Sequence, residues 1–424
     1  MRAFLSLYLT NFFLVAGTGL LTTYLAVYLT AAEVTTFWIG LMTSAYYLGL
    51  LSGSKIAYYF IKSVGHIRTF AASTATVLAC IATHGLTDNI YIWLVLRLFV
   101  GIGMMCNYMV LESWLNEQAE PENRGEIFSI YMITSYFGMI VGQFVLSLFP
   151  ALGLAPLFLI CIAVSIGIVP ISITRRIHPA PLKPISISFF SYFKSIPEAL
   201  TAVLFAGIIN GSFYGLAPVY AQQAGFNASD IGSFMAITVL AGLLAQWPMG
   251  VLSDRVRRSV LIRINSLGIG VVALVMSFNT APNILTLVST FCFGLFAFTM
   301  YPLSSALANS AVSDEDRVGV SSALLIAFGG GACLGSTVIA QLMSLIGFQA
   351  LYGSIAILTL IMFVSLSVIN SVQKRETPSE DDYVVSPSDI TTSPMAASLD
   401  PRIDETTVHE QMVEHNDESN EEKE

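Results

Sequence analysis

The sequence predicts an all-α integral membrane protein, with twelve transmembrane helices arranged as two six-helix bundles. Hydrophobic residues make up 55% of the 424 residues and charged residues only 11%, which excludes an ordinary soluble domain. The apolar residues come in runs of about 20, the length of helix that crosses about 30 Å of hydrocarbon. Motifs of the first half of the chain also recur in the second half. Together these features predict two like-oriented helical bundles in a membrane.

The apolar runs are too long for barrel strands and lack sustained alternation, so helices are predicted. In chain order they cover about residues 7–29, 37–60, 68–86, 90–112, 126–148, 153–174, 199–221, 231–252, 260–277, 282–307, 318–343 and 347–371. The first run is not followed by a small-residue cleavage site, so we expect it to be retained as a span. The five cysteines all fall within the runs without C-x-x-C pairing, which is typical of packing residues.

Basic residues predict the orientation of the spans. The connections expected outside the membrane contain Glu33, Asp88 and Asp230 but no Lys or Arg. Of the 19 Lys and Arg residues, 17 fall on the opposite side, and the other two, Lys55 and Arg97, lie inside spans. Because cytoplasmic loops carry the excess of basic residues, we expect a multi-pass membrane protein with both termini cytoplasmic.

The internal repeat relates the two halves by an offset of 193 or 192 residues. The pattern R-x13-G-x3-G occurs at Arg124 and again at Arg317, 193 residues later. Offsets of 193 or 192 residues also relate Gly101 to Gly294, Tyr108 to Tyr301, and Ile39-Gly40 to Ile231-Gly232. In membrane proteins built as two such halves, the seam between the halves is the natural place for a substrate, which makes transport the first hypothesis.

Four regions follow from these patterns: a first bundle over residues 1–175, a cytoplasmic linker over 176–198, a second bundle over 199–371 and a tail over 372–424. Within the linker, residues 186–196 either lie along the membrane surface or are irregular. The tail contains 15 Asp and Glu against 4 Lys and Arg, so it is expected to be disordered. It either solubilises passively or binds a regulatory partner.

Span 4 contains the main charged candidates. Arg97 is costly in hydrocarbon unless it faces protein or a cavity, and Tyr108, three helical turns on, shares its face. The alternative for Arg97 is snorkelling to the outer interface. Glu112 lies one turn beyond Tyr108, and we expect it to pair with Arg68 or Arg124 as a cytoplasmic gate. The alternative for Glu112 is that its carboxylate carries protons.

Uncharged polar residues in other spans complete a candidate substrate or proton pathway. They lie in both halves, and each alone is also explained by hydrogen bonding between helices. The set comprises Gln143, Asn210, Tyr214, Gln246 and Tyr301. The spacing G-x3-G in spans 5 and 11 is explained by close helix packing.

Several strings carry a family resemblance. GVLSDR (Gly250–Arg255) resembles the loop signature of the major facilitator superfamily, and RLFVGIG (97–103) resembles its R-x-x-x-G-x-G element. The strings ESW…NRG (112–125), SYFGMIVGQ (135–143), GIINGSFYGLAPVY (207–220) and AQWPMGVLSD (245–254) are similar to the bacterial YcaD-like branch. The resemblance implies alternating access and a location in the bacterial inner membrane, and it places Gly250, Asp254 and Arg255 at the cytoplasmic gate. Lys62 stands where the first copy of the signature usually has Asp.

No P-loop, H-E-x-x-H or Cys/His metal spacing stands out, so we expect neither an enzyme nor a cofactor or metal site. The favoured function is secondary active transport of a small organic solute, with protons as the candidate coupling ion. The alternative is a non-transporting sensor or receptor that signals through the acidic tail. The expected partners are the solute, protons and the lipid bilayer, with no nucleic acid, and the expected oligomeric state is a monomer.

Overall fold

The protein is described by a computed structural model, which places residues 2–119, 123–149, 153–173, 189–312 and 317–372. These residues form thirteen α-helices: α1 (Arg2–Ala31), α2 (Thr36–Val64), α3 (His66–His84), α4 (Ile90–Gln118), α5 (Arg124–Leu146), α6 (Ala155–Ile173), α7 (Phe189–Ser195), α8 (Pro197–Gln223), α9 (Ala228–Arg255), α10 (Arg258–Phe278), α11 (Ile284–Asn309), α12 (Arg317–Ile346) and α13 (Ala350–Val372). The predicted linker is thus helical at Phe189–Ser195, whereas most of the acidic tail falls outside the described residues.

Ten of these helices are long and apolar enough to cross a membrane. Each predicted apolar run lies on one helix, and the largest disagreement is at α4, which continues to Gln118 rather than ending near residue 112. The two long helices outside the ten are α2 and α3, of 29 and 19 residues. The polar and basic side chains of α2, including Lys55 and Lys62, lower its mean hydropathy.

The outer surface of the helices is apolar, as a lipid-facing surface must be. Large side chains such as Trp247 and Phe278 are 78% and 82% exposed, and many Leu, Ile and Val residues on other helices are also exposed. An apolar surface of this extent is far larger than a soluble monomer tolerates. Many polar side chains are instead buried between helices, where residues such as Asn11, Asn107 and Gln143 form hydrogen bonds.

Three helices begin at the same end of the molecule with an asparagine N-cap. The side chains of Asn89, Asn227 and Asn283 accept hydrogen bonds from the first-turn amides of α4, α9 and α11. Such caps satisfy amide groups that have no partner inside the helix. We call this the asparagine-capped end. The opposite end contains the turn between α2 and α3, where Gly65 has a φ of +85° that favours glycine.

The glycine repeat corresponds to equivalent helix contacts in the two halves. On α5, added methyl groups at Gly138 and Gly142 would collide with main-chain oxygens of α1. On α12, added methyl groups at Gly331 and Gly335 would collide with main-chain oxygens of α8. The contacted residues are Phe12 and Ala16 of α1, and Leu204 and Ile208 of α8. Since the partners are also related by 192 residues, the packing repeats together with the sequence, as expected for close helix contacts at small residues.

The two halves meet through a second equivalent pair of contacts. Gly40 of α2 packs against α12, and Gly232 of α9 packs against α5. The residues contacted by these glycines are Ser336 and Ala340 for Gly40, and Gln143 and Ser147 for Gly232. Ser336 and Gln143 are themselves 193 residues apart, as are Ala340 and Ser147. The contact between the halves is therefore reciprocal, and both copies lie toward the asparagine-capped end.

Candidate functional site

A cavity lies among helices of both halves. Most of its lining comes from α1, α2, α4 and α5, and Tyr214 on α8 adds a wall from the second half. The lining residues are Thr18, Gly19, Thr22, Thr43, Tyr46, Tyr47, Tyr108, Met139, Gln143 and Tyr214. The mixture of aromatic rings with a few polar groups is typical of the lining of a small-molecule site.

A smaller cavity adjoins the first toward the asparagine-capped end. Thr22 and Thr43 line both cavities, so the two are neighbours along α1 and α2. The rest of the smaller cavity is apolar apart from Arg97: its other lining residues are Leu25, Ala26, Leu29, Ile39 and Met42. The smaller cavity therefore brings one cation next to the larger, aromatic cavity.

Arg97 is only 2% exposed, so its side chain is turned into the protein and does not snorkel to the interface. Its Nη2 donates a hydrogen bond to Thr22 Oγ1 at 3.3 Å. Its Cζ lies 4.7 Å from the centre of the Tyr46 ring, within the range of a cation–π interaction. Thr22 and Tyr46 both line the larger cavity, so Arg97 contacts that cavity through them.

Gln143 is held in place at the wall of the larger cavity. Its Oε1 accepts a hydrogen bond from Thr23 Oγ1 at 2.5 Å, and its Nε2 donates to the carbonyl of Gly19 at 3.1 Å. Both partners belong to α1, so the amide also joins α5 to α1. A buried amide with both ends satisfied is rigid and can present a fixed polar surface to a solute.

Four of the seven residues predicted for the pathway line these cavities, and three do not. Arg97, Tyr108, Gln143 and Tyr214 line one of the two cavities. Gln246 instead donates to Tyr136 Oη at 3.1 Å and to the Phe298 carbonyl at 3.3 Å. Tyr301 packs its ring against Phe328, with centroids 5.4 Å apart, and Asn210 is fully buried on α8. These three lie between helices rather than along the two cavities.

The residues predicted for the gate occupy different surroundings at the opposite end. Glu112 is fully buried and accepts a hydrogen bond from Tyr131 Oη at 3.3 Å. Arg124 is buried at the start of α5, whereas Arg68 is exposed on α3. In the loop signature, Gly250 is buried, while Asp254 and Arg255 are exposed at the end of α9. The closing role of these residues stays a prediction.

Sequence reasoning missed five hydroxyl-bearing residues that line the larger cavity: Thr18, Thr22, Thr43, Tyr46 and Tyr47. Neutral hydroxyl residues are common in membrane helices and usually bond the carbonyl one turn back. Thr18 and Thr43 do so, to the carbonyls of Leu14 and Ile39. One available signal was that Thr18 and Thr22 are one turn apart on α1, as Thr43 and Tyr47 are on α2.

A model of the Major Facilitator Superfamily matches residues 7–278 and 199–401. The chain belongs to that superfamily. It is 30% identical over 352 residues to the uncharacterized MFS-type transporter YcaD of Escherichia coli O6:K15:H31 (strain 536 / UPEC), covering 82% of this chain and 91% of the relative. The same protein from Escherichia coli strain K12 / DH10B is 29% identical over the same length. These relatives confirm the predicted YcaD-like branch.

Solved structures of other transporters share the fold of this superfamily member. The nucleoside transporter NupG superposes with a TM-score of 0.77 at 14% identity, covering 88% of this chain and 100% of its own. A bacterial homologue of the human drug peptide transporters PepT1 and PepT2 superposes with a TM-score of 0.68 at 11% identity, covering 87% and 98% of the two chains. The all-helical membrane fold of the superfamily is thereby confirmed for this chain, which is a multi-pass inner-membrane protein.

Proposed function

We propose that this superfamily member is a secondary transporter, which moves a small organic solute through the larger cavity by alternating access. The observation that carries the proposal is the cavity among helices of both halves, adjoined by reciprocal contacts between α2 and α12 and between α9 and α5. The residues that Gly40 and Gly232 contact, including Ser336, Ala340, Gln143 and Ser147, are uncharged, so these contacts can separate without leaving buried charges unpaired. Opening them would expose the cavity at the asparagine-capped end while the opposite end closes.

The same proposal includes the number of membrane crossings and the side on which the termini lie. In it, α2 and α3 join the ten apolar helices as spans, which gives twelve crossings in two bundles, residues 1–175 and 199–371. Both termini then lie in the cytoplasm, because the basic residues lie at the opposite end from the asparagine caps. The protein acts as a monomer, since one chain contains the whole cavity.

Protons are the coupling ion in this proposal, and Glu112 carries them. The fully buried Glu112 lies on the same helix as Arg97 and Tyr108, and Tyr131 donates to its carboxylate. Carrying a proton across the membrane requires an ionisable side chain inside the helix bundle, and Glu112 meets that requirement.

The test is flux through purified protein in liposomes, with a library of metabolites and drugs, in the presence and absence of a pH gradient. We expect at least one solute to accumulate against its gradient when a pH gradient is imposed. Glu112→Gln should abolish that accumulation and retain exchange of labelled for unlabelled solute. Failure to move any solute would contradict the transporter proposal, while accumulation by Glu112→Gln would remove only the proton-carrying role.

A further inference from the structure

The surroundings of Arg97 point to the chemical class of the solute. A guanidinium is always charged in a protein, and that of Arg97 is buried. Its contacts among the described residues are the hydroxyl of Thr22 and the ring of Tyr46, both neutral. Among the described residues no carboxylate forms an ion pair with Arg97, and its Nη1 is buried without a hydrogen-bond partner. A buried cation without a counterion carries a desolvation cost, and binding of an anion would offset that cost.

The linings of the two cavities define how much charge the anion carries. Of the described lining residues, none is acidic and Arg97 is the only basic one. A single cation balances a single negative charge, whereas a second negative charge would enter a wall of threonines, tyrosines and aliphatic side chains. The planar fork of a guanidinium matches a carboxylate, which it binds with two parallel hydrogen bonds.

The larger cavity supplies the remainder of the recognition surface. Four tyrosines, Tyr46, Tyr47, Tyr108 and Tyr214, line it together with Met139. Tyrosine rings pack against other aromatic rings in offset or edge-to-face geometry, and a thioether also favours ring contacts. Because Tyr46 contacts the guanidinium and also lines the larger cavity, a solute whose carboxylate binds Arg97 would have its ring among the tyrosines.

We propose that the solute is a small aromatic monocarboxylate, whose carboxylate pairs with Arg97 and whose ring occupies the tyrosine-lined cavity. This proposal rests on the proposed transport function for its biological meaning, and on the Arg97 surroundings for its chemistry. The threonines at the junction of the two cavities, Thr22 and Thr43, donate their hydroxyl hydrogens to the carbonyls of Thr18 and Ile39, so their oxygens can accept a hydrogen bond from a ring substituent.

The experiment measures equilibrium binding to the purified full-length protein. The probes are benzoate, 4-hydroxybenzoate, phenylacetate and indole-3-acetate, each with its carboxamide, together with hexanoate and phthalate. We expect at least one aromatic monocarboxylate to bind, and its carboxamide to bind about tenfold more weakly or worse, because a charge-assisted hydrogen bond is lost. Equal binding of acid and amide, preference for hexanoate or phthalate, or no binding of any acid up to about 10 mM would overturn the proposal.

Variants of Arg97 test the same point from the protein side. Arg97→Gln should reduce affinity for the aromatic acid at least about tenfold, and Arg97→Lys should restore part of it. Arg263→Gln is the matched control, because Arg263 lies on α10 outside both cavities and bonds only the carbonyl of Ser259 among the described atoms. Undiminished acid binding by Arg97→Gln would overturn the proposal.

A further measurement needs no solute. If Arg97 lacks a counterion, solute-free Arg97→Gln should unfold about 2 °C or more above the unmodified protein, since a buried charge has been removed. A lower unfolding temperature would show that the protein itself compensates the charge, and would count against an anionic solute.

The outcomes separate this inference from the transporter proposal. Transport of neutral or cationic solutes at full rate by Arg97→Gln would overturn the anion proposal and leave transport standing. Binding of aromatic acids without flux of any solute would support the anion site and contradict transport.

Discussion

At the scale of single residues, Gln143 and Gln246 form a natural comparison. Both are buried glutamines, but Gln143 lines the larger cavity, whereas Gln246 bonds Tyr136 and Phe298 between helices. Gln143→Leu should lower the free energy of unfolding by about 1–3 kcal/mol and weaken solute binding, because two hydrogen bonds and a polar cavity wall are lost. Gln246→Leu should cost similar stability and leave solute affinity unchanged.

Thermal unfolding and equilibrium binding of a solute found in the flux screen check this pair. If Gln246→Leu weakened binding as much as Gln143→Leu, the larger cavity would not be the solute site. If neither variant changed binding, the polar wall at Gln143 would not contact the solute.

The Glu112–Tyr131 hydrogen bond gives a second prediction for single residues. Both side chains are fully buried, so Tyr131→Phe leaves the carboxylate with one donor fewer and should lower the free energy of unfolding by about 1–3 kcal/mol. In a double-mutant cycle with Glu112→Gln, we expect a coupling energy of about 0.5–2 kcal/mol. Unfolding of the two single variants and the double variant provides the measurement, and strictly additive effects would show that the two groups do not interact.

The charged site residue was easier to predict from the sequence than the neutral ones. Arg97 is visible because an arginine in an apolar run is costly, and only the choice between cavity and interface had to await its burial in the structure. Thr18, Thr43 and Tyr46 carry no such signal. Their side chains suit either a cavity wall or contact with a neighbouring helix, and the difference depends on helix rotation, which the sequence pattern does not specify.

At the scale of helices, the contact between α2 and α12 depends on Gly40. A methyl group there would overlap the Ala340 side chain and the Ser336 carbonyl. Gly40→Ala should therefore separate the helices at the asparagine-capped end and favour states that are open there. Gly330→Ala, also on α12, is the matched control, because an added methyl group at Gly330 meets no atom within 4 Å.

The native thiol at this interface provides the measurement. Cys333 Sγ lies 3.4 Å from the Ser44 carbonyl, next to the contact. With the other four cysteines replaced, a maleimide should label Cys333 several-fold faster in Gly40→Ala than in the parent protein, because labelling follows the population of the open state. Gly330→Ala should label at the parental rate and be neutral or slightly stabilising. Unchanged labelling in Gly40→Ala would show that the helices tolerate the methyl group without opening.

Helix positions were largely predictable because hydrophobicity over about 20 residues is a strong signal. The end of α4 was not, since Glu112, Asn116 and Glu117 suggest a loop by polarity, although Glu112 is buried and the helix runs to Gln118. Burial within the bundle overrides the local preference of these residues. The start of α8 was missed for the same reason. The predicted span begins at residue 199, whereas the helix already includes Glu198, whose carboxylate is buried in its first turn.

At the scale of the whole molecule, the repeat in the sequence corresponds to a repeat of contacts. Gly101 meets main-chain atoms of Tyr46 on α2, and Gly294 meets those of Thr238 on α9, so both the glycines and their partners are related by the repeat. Arg97 breaks the relation, because Thr290 stands at the equivalent position and bonds Thr238 at 2.6 Å. The scaffold is duplicated, but the charged cavity belongs to the first half alone.

Because of that asymmetry, the two halves contribute different parts of the site. The first half supplies Arg97 and most of the cavity wall, and the second half supplies Tyr214 and the surfaces that α2 and α5 contact. Movement of one half against the other would change access to the cavity without dismantling the cation site, because Arg97, Thr22 and Tyr46 all lie in the first half. Alternation of this kind requires the contacts at the asparagine-capped end to open in each cycle.

A reversible cross-link tests that requirement directly. Ser44 Oγ and Thr337 Oγ1 lie 2.7 Å apart across the two halves, so cysteines at both positions are close enough to form a disulfide. In a background with the five native cysteines replaced, oxidised Ser44→Cys/Thr337→Cys should lose at least about 90% of flux, because a state open at this end is excluded from the cycle. Reduction should restore flux, and each single cysteine variant should be insensitive to oxidant. Undiminished flux through protein shown to be cross-linked would mean that the solute passes without separation of α2 from α12, and alternating access through this interface would be wrong.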